Sequence, residues 1–233
     1  MKRGFSLLAL VTGLLLSFAF YEALARPSWP LGTPTEQTMG DVQRIFYYHV
    51  PSAWTAFLLF LINFVASVVF LIRRNAKADV LALASAEVGV VFCTVVLVTG
   101  PIWARPVWGI WWTWDLRLTL TLVLWLIYVS YLILRRFSTS GQTPLVAAVV
   151  AIFGALDVPL VYFSIWFFRT QHPSPVIGAG GSLDPRMAHV LLINWAAFLC
   201  LAWLLCWTRY RLEVAQREVD EAQALESLME LPR

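Results

Sequence analysis

The chain has 233 residues, of which 60% are hydrophobic and 13% charged, with a mean hydropathy of +0.72 and a formal net charge of +3. A soluble domain carries about 45–50% apolar and roughly 25% charged residues, so a globule of this size could not hide so much apolar surface, and lipid must be its solvent. The same figures exclude a disordered chain, a collagen-like repeat and a disulfide scaffold, and so small and dispersed a charge leaves no footprint for nucleic acid.

Six runs approach the roughly 20 apolar residues that a helix needs to cross a bilayer: 5–25, 52–72, 80–99, 118–134, 145–163 and 188–207. The predicted fold is an all-α integral membrane protein of six helices, spanning 1–208, followed by a polar segment, 209–233, that reads as an amphipathic cytoplasmic tail. The first run follows Met1-Lys2-Arg3 and competes with a signal peptide. It is longer than the usual apolar region of about 7–15 residues, and Ala23-Leu24-Ala25 is a weak cleavage site, so it is kept as the first helix. Lys and Arg number eleven in the N-terminus, second loop, fourth loop and tail, against six in the other three loops. That bias puts both termini in the cytoplasm, and the first, third and fifth loops on the outer face.

In chain order, Glu22 stands four residues before Arg26, a spacing that suffices for a local ion pair. His49 follows at the outer end of the second span, and Glu87 lies within the third. Next comes the least even stretch of the sequence. Five of the twelve tryptophans fall between 103 and 114, as Trp103, Trp108, Trp111, Trp112 and Trp114. An interfacial aromatic belt accounts for scattered residues such as Trp29, Trp203 and Trp207, but it fits this cluster poorly. Trp108, Trp111, Trp112 and Asp115 recur at helical spacing, which predicts a short helix with three indoles on one side. Pro101, Pro106 and Gly109 should break the approach to it and lay the segment along the surface. A flat apolar platform edged by Arg105, Asp115 and Arg117 suits a flat aromatic ligand with acidic groups, of which haem is one.

The fifth span contains Asp157, which, like Glu87, should face the bundle interior or a partner subunit, in a packing and hydrogen-bonding role. Three histidines are present. His49 and His172 share the outer face and flank the tryptophan loop, so together they could ligate a haem iron. His189, at the start of the sixth span, has no such setting and reads as structural. Cys93, Cys200 and Cys206 all fall inside spans, with no CxxC, and read as packing residues.

The run Trp108-Gly109-Ile110-Trp111-Trp112-Thr113-Trp114-Asp115-Leu116-Arg117-Leu118-Thr119 resembles the WWD signature, W-G-x-W-W-x-W-D-x-R-L-T, of the haem-handling proteins of cytochrome c maturation. Arg44-Ile45-Phe46-Tyr47-Tyr48-His49-Val50-Pro51-Ser52-Ala53-Trp54 is similar to the histidine motif of the CcmC family, whose length and six spans this chain shares. The resemblance covers the second span to the start of the sixth, about two-thirds of the chain. Leu183-Asp184-Pro185 is also family-like, whereas Phe167-Phe168-Arg169-Thr170-Gln171-His172 departs from the usual W-W-x-T-L-H.

The resemblance implies His49 and His172 as axial ligands of haem b, and a platform of Trp103, Trp108, Trp111, Trp112, Trp114 and Asp115 within the WWD segment 100–119. Arg44 and Arg117 become candidates for the propionates. It further implies a haem-transfer component of the bacterial inner membrane rather than an enzyme. Such a component works with the transporter subunits CcmA and CcmB and with CcmD, and presents haem at the periplasmic face to the chaperone CcmE. The chain has no P-loop and cannot supply ATP hydrolysis itself. A membrane b-type cytochrome using the same histidines is the runner-up. A cofactor-free assembly subunit, anchored by its tryptophans, is the third reading.

Overall fold

The computed structural model describes residues 2–25, 33–168, 170–173 and 183–229. Arg26, Trp29, Arg169 and Arg233 lie outside the described residues, and with Arg26 goes the expected Glu22 ion pair. The described residues form six long helices: α1 (Lys2–Leu24), α2 (Phe46–Arg73), α3 (Ala76–Trp108), α4 (Leu116–Phe137), α5 (Thr143–Phe167) and α6 (Pro185–Met229). A 3-10 turn, Asp41–Ile45, runs directly into α2. All six helices are long and apolar enough to cross a membrane, as the hydropathy of the sequence requires.

The helix ends follow local chemistry. Arg74 closes α2 in a left-handed conformation, and the Asn75 side chain then caps α3 by accepting from the Lys77 N–H. Gly109, at φ 77°, closes α3 where a side chain would be strained. Asp115 caps α4 by accepting from the Leu118 N–H at 3.0 Å.

Two expectations fail here. Pro101 and Pro106 do not end the third helix, which continues through both to Trp108. In lipid the surrounding backbone has no water to turn to, so a proline is absorbed within the helix rather than ending it. Nor do Trp108, Trp111, Trp112 and Asp115 share a short helix. Trp108 ends α3, Asp115 caps α4, and residues 109–115 between them are not helical. With Gly109 left-handed at one end and an N-cap at the other, five intervening residues cannot build a helix of their own.

The buried core of the bundle joins α2, α3, α4, α5 and α6. Its centre is a stacked pair, Phe60 on α2 and Tyr128 on α4, with ring centres 3.8 Å apart. A second cluster packs the end of α1 against α2 and α6 through Ala23, Phe46, Tyr47, Met187, Val190 and Leu191. This end of the bundle also carries the histidines and the tryptophan segment, and is called the mouth below; the opposite end is the base.

At the base, α6 continues without interruption past residue 208, so no change in secondary structure marks the start of the polar tail. Ion pairs hold the extension against the bundle. Asp79 on α3, 2% exposed, takes both Arg135 on α4, at 2.5 and 3.0 Å, and Arg217 on α6, at 2.7 Å. Arg209 pairs with Glu87, which is half-buried rather than in the bundle interior, so that carboxylate takes a bonding role but not the interior position expected of it. Asp157 is buried on α5, and its Oδ2 has no hydrogen-bond partner.

Candidate functional site

A cavity of about 500 Å³ opens at the mouth, enclosed by α2, α3, α4, α5 and the start of α6. Its volume lies within the usual range for a small-molecule site, and its wall is mostly apolar with a few polar groups. Six of the ten residues expected at the site line it: His49, His172, Trp103, Trp108, Trp112 and Arg117.

His49 stands in the first turn of α2, 8% exposed. The Trp103 indole meets its ring edge-on, with centres 5.8 Å apart. His49 Nδ1 is 2.8 Å from Thr99 Oγ1 on α3, and that hydroxyl donates to the Val95 carbonyl at 2.6 Å. His172 is half-buried in the non-helical segment after α5. Its Nδ1 lies 2.9 Å from the Pro173 carbonyl, which can only accept, so Nδ1 carries the proton and Nε2 the lone pair. Burial, and after it the positive charge of Arg117, push the His172 imidazole down from 6.5 to about 4, so the ring is neutral at pH 7 and fit to ligate a metal. The two imidazoles come together: their ring centres are 6.4 Å apart and their planes are inclined by 34°.

Arg117 extends from the first turn of α4. Its Nη1 is buried and has no hydrogen-bond partner, and the same is true of Trp112 Nε1. A buried donor left unpaired costs about 1–3 kcal/mol. Two of them on the wall of one cavity fit a ligand that brings acceptors, such as carboxylates.

The other four expected residues are not among those lining the cavity. Trp111 and Trp114 are 60% and 76% exposed. Asp115, besides capping α4, accepts from Thr113 Oγ1 at 3.2 Å and from the Gln171 N–H at 3.3 Å. It therefore ties the tryptophan segment to the segment carrying His172. Arg44 is buried with its guanidinium turned to the end of α1, donating to the carbonyls of Ala23 and Ala25 at 2.6 and 3.2 Å. Ala23 lies in the last turn of α1 and Ala25 just beyond its end, where carbonyls otherwise lack donors. Arg105 bonds the Gly109 carbonyl. His189 is exposed and lies apart from the cavity.

Sequence reasoning missed Thr99, whose contact with His49 spans 50 positions of the chain. It also missed Gln43, which lines the cavity with a buried, unpartnered Oε1. The α6 wall, Met187 and Leu191, is invisible in a linear reading because only packing brings it there.

Residues 2–225 match the sequence profile of the family described as heme exporter protein C, CcmC. The chain belongs to the heme exporter protein C family. Curated relatives agree. A heme exporter protein C of Bradyrhizobium diazoefficiens is 33% identical over 223 residues, covering 94% of this chain and 82% of its own length. The protein of the same name from Escherichia coli K12 is 32% identical over 185 residues, 78% and 75% of the two chains. A putative ccmC-like mitochondrial protein of cytochrome c biosynthesis from Marchantia polymorpha is 32% identical over 169 residues, 72% of each. The CcmC match takes in the first span and most of the tail, where the motifs alone showed little.

Proposed function

We propose that the mouth cavity is a haem site, in which this chain holds haem b between His49 and His172 and presents it to a chaperone. One observation carries the reading: two histidines, each with Nδ1 engaged elsewhere, stand on the wall of one cavity with ring centres 6.4 Å apart. Two imidazoles sharing one iron, each with a metal–nitrogen bond of about 2 Å, would have ring centres roughly 6 Å apart. The pair therefore suits a bis-histidine iron. Arg117 Nη1 and Trp112 Nε1, both unpaired, suit the propionates, and the indoles of Trp103, Trp108 and Trp112 suit the macrocycle.

Relatives named for heme export and cytochrome c biosynthesis support a multi-pass membrane component of a haem export complex, serving cytochrome c maturation by transport and assembly. In the finer reading the partners are CcmA, CcmB and CcmD, and the recipient is CcmE. The excess of Lys and Arg at the base supports cytoplasmic termini and a mouth at the periplasmic face of the inner membrane. Arg44 serves this site through its hold on α1, and Asp115 through its hold on the His172 segment.

The test is the absorption spectrum of the purified protein, oxidised and reduced, beside His49→Ala and His172→Ala, followed by transfer to CcmE. The parent should show six-coordinate haem that each variant loses or alters, and should give its haem up to the chaperone. A parent that takes up no haem when supplied with it would end the proposal. Haem that cycles stably between oxidation states but never reaches CcmE would favour the b-type cytochrome.

A further inference from the structure

Thr99 lies inside α3, two residues before Pro101, and its Oγ1 touches both His49 Nδ1 (2.8 Å) and the Val95 carbonyl (2.6 Å). A threonine that bonds the carbonyl one turn back is ordinary in a helix, and by itself would only satisfy the hydroxyl. The contact with His49 adds a second consequence. A hydroxyl has one proton, and a carbonyl can only accept. With its proton on Val95, Thr99 has only lone pairs to offer the imidazole. His49 Nδ1 is then the donor, and the neutral ring carries its free lone pair on Nε2.

We propose that Thr99 is a positioning residue for haem binding: it holds His49 as the Nδ1–H tautomer, which leaves the Nε2 lone pair free to ligate an iron. The inference rests on the haem-site reading above. Two further contacts restrict the ring to this pose. Trp103 meets it edge-on, and a Cβ built at Gly100 would lie 3.5 Å from His49 Cε1, which places the α3 backbone close beside the ring. On the other side of the cavity the Pro173 carbonyl performs the same service for His172. Both rings thus stand in the same tautomer. An oxygen that accepts from the second nitrogen of a ligating histidine fixes its orientation and raises its basicity, and losing such a partner typically costs 10–100-fold in metal affinity.

The experiment uses the full-length protein in detergent, loaded with haem, as parent, Thr99→Val and Thr99→Ser. Valine keeps the branched shape but has no acceptor; serine keeps the oxygen. Thr99→Val should lose about 10–100-fold in haem affinity, and its midpoint potential should rise, because a less basic imidazole stabilises ferric iron less. Thr99→Ser should stay near the parent in both. If the valine variant does not fold, Thr99→Cys, of similar size and with a poor acceptor, makes the same contrast with serine. Parent-like affinity and potential in the valine or cysteine variant would overturn the role of Thr99. His49→Ala, measured alongside, separates the two ideas. If it binds haem with the parent's spectrum, the haem-site reading itself falls. If it loses haem while Thr99→Val matches the parent, only the role of Thr99 falls.

Discussion

Asp79 at the base of this bundle and Arg117 at its mouth are treated in opposite ways. At the base, Asp79 is almost completely buried and receives both Arg135 and Arg217, while Arg209 closes on Glu87. At the mouth, Arg117 Nη1, Trp112 Nε1 and Gln43 Oε1 are buried without partners, around a cavity large enough for a ligand. A buried charge with satisfied partners holds helices together but leaves nothing for a ligand to bind. A buried donor without one weakens the empty protein and rewards whatever brings an acceptor. The difference separates Arg135, Arg209 and Arg217, whose ion pairs hold helices together, from Arg117, whose Nη1 is left for the ligand proposed above.

Substitutions at each end sharpen or break that contrast. Asp79→Ala should be the most damaging, because it strands the buried Arg135 guanidinium and leaves Arg217 with Glu213 alone; about 3–5 kcal/mol of unfolding free energy should be lost, read by denaturant or thermal unfolding in detergent. Arg117→Gln should leave the stability of the empty protein near the parent's while weakening haem binding by about 1.5–3 kcal/mol, the worth of a charge-assisted hydrogen bond, measured by haem titration. If the two substitutions destabilised the empty protein equally, the contrast between the ends would be lost.

A subtler effect is expected in pH. The folded His172 sits at about 4 and an ordinary histidine at 6.5. As pH falls from about 6.5 to about 4, the unfolded chain takes up a proton that the folded chain refuses, so stability declines across that window and levels off below it. His172→Gln should flatten that part of a stability-versus-pH curve; an unchanged slope would show that the ring is not held neutral. The smallest effect belongs to Glu87→Gln. That carboxylate is 29% exposed and its partner Arg209 36%, so the loss should be about 0–1 kcal/mol in the same unfolding assay.

Much of the site could be read linearly because its residues come as local patterns. The WWD run carries Trp108, Trp112 and Arg117 together, and the segment around Arg44 carries His49. Periodicity misled only in the run itself. Trp111 and Trp114 belong to the motif yet stand exposed, because Gly109 and Asp115 end the neighbouring helices and turn the intervening indoles in different directions. Arg44 looked like a ligand for acids. In the fold it is committed to the carbonyls of α1, a partner that no spacing rule connects to it.

Hydrophobic runs of sufficient length determined by themselves that the chain crosses a membrane six times, since a bilayer tolerates only backbone that satisfies its own hydrogen bonds. They also determined the alternation of its loops, and composition with motif pointed to haem. Tertiary structure decided the rest. The distance between His49 and His172, the bond from Thr99 to the His49 ring, and the contrast between Arg217, paired with Asp79 at the base, and Arg117, with Nη1 unpartnered at the mouth, all depend on residues far apart in the chain. Such relations depend on how helices pack, and a pattern that repeats every few residues carries no information about them.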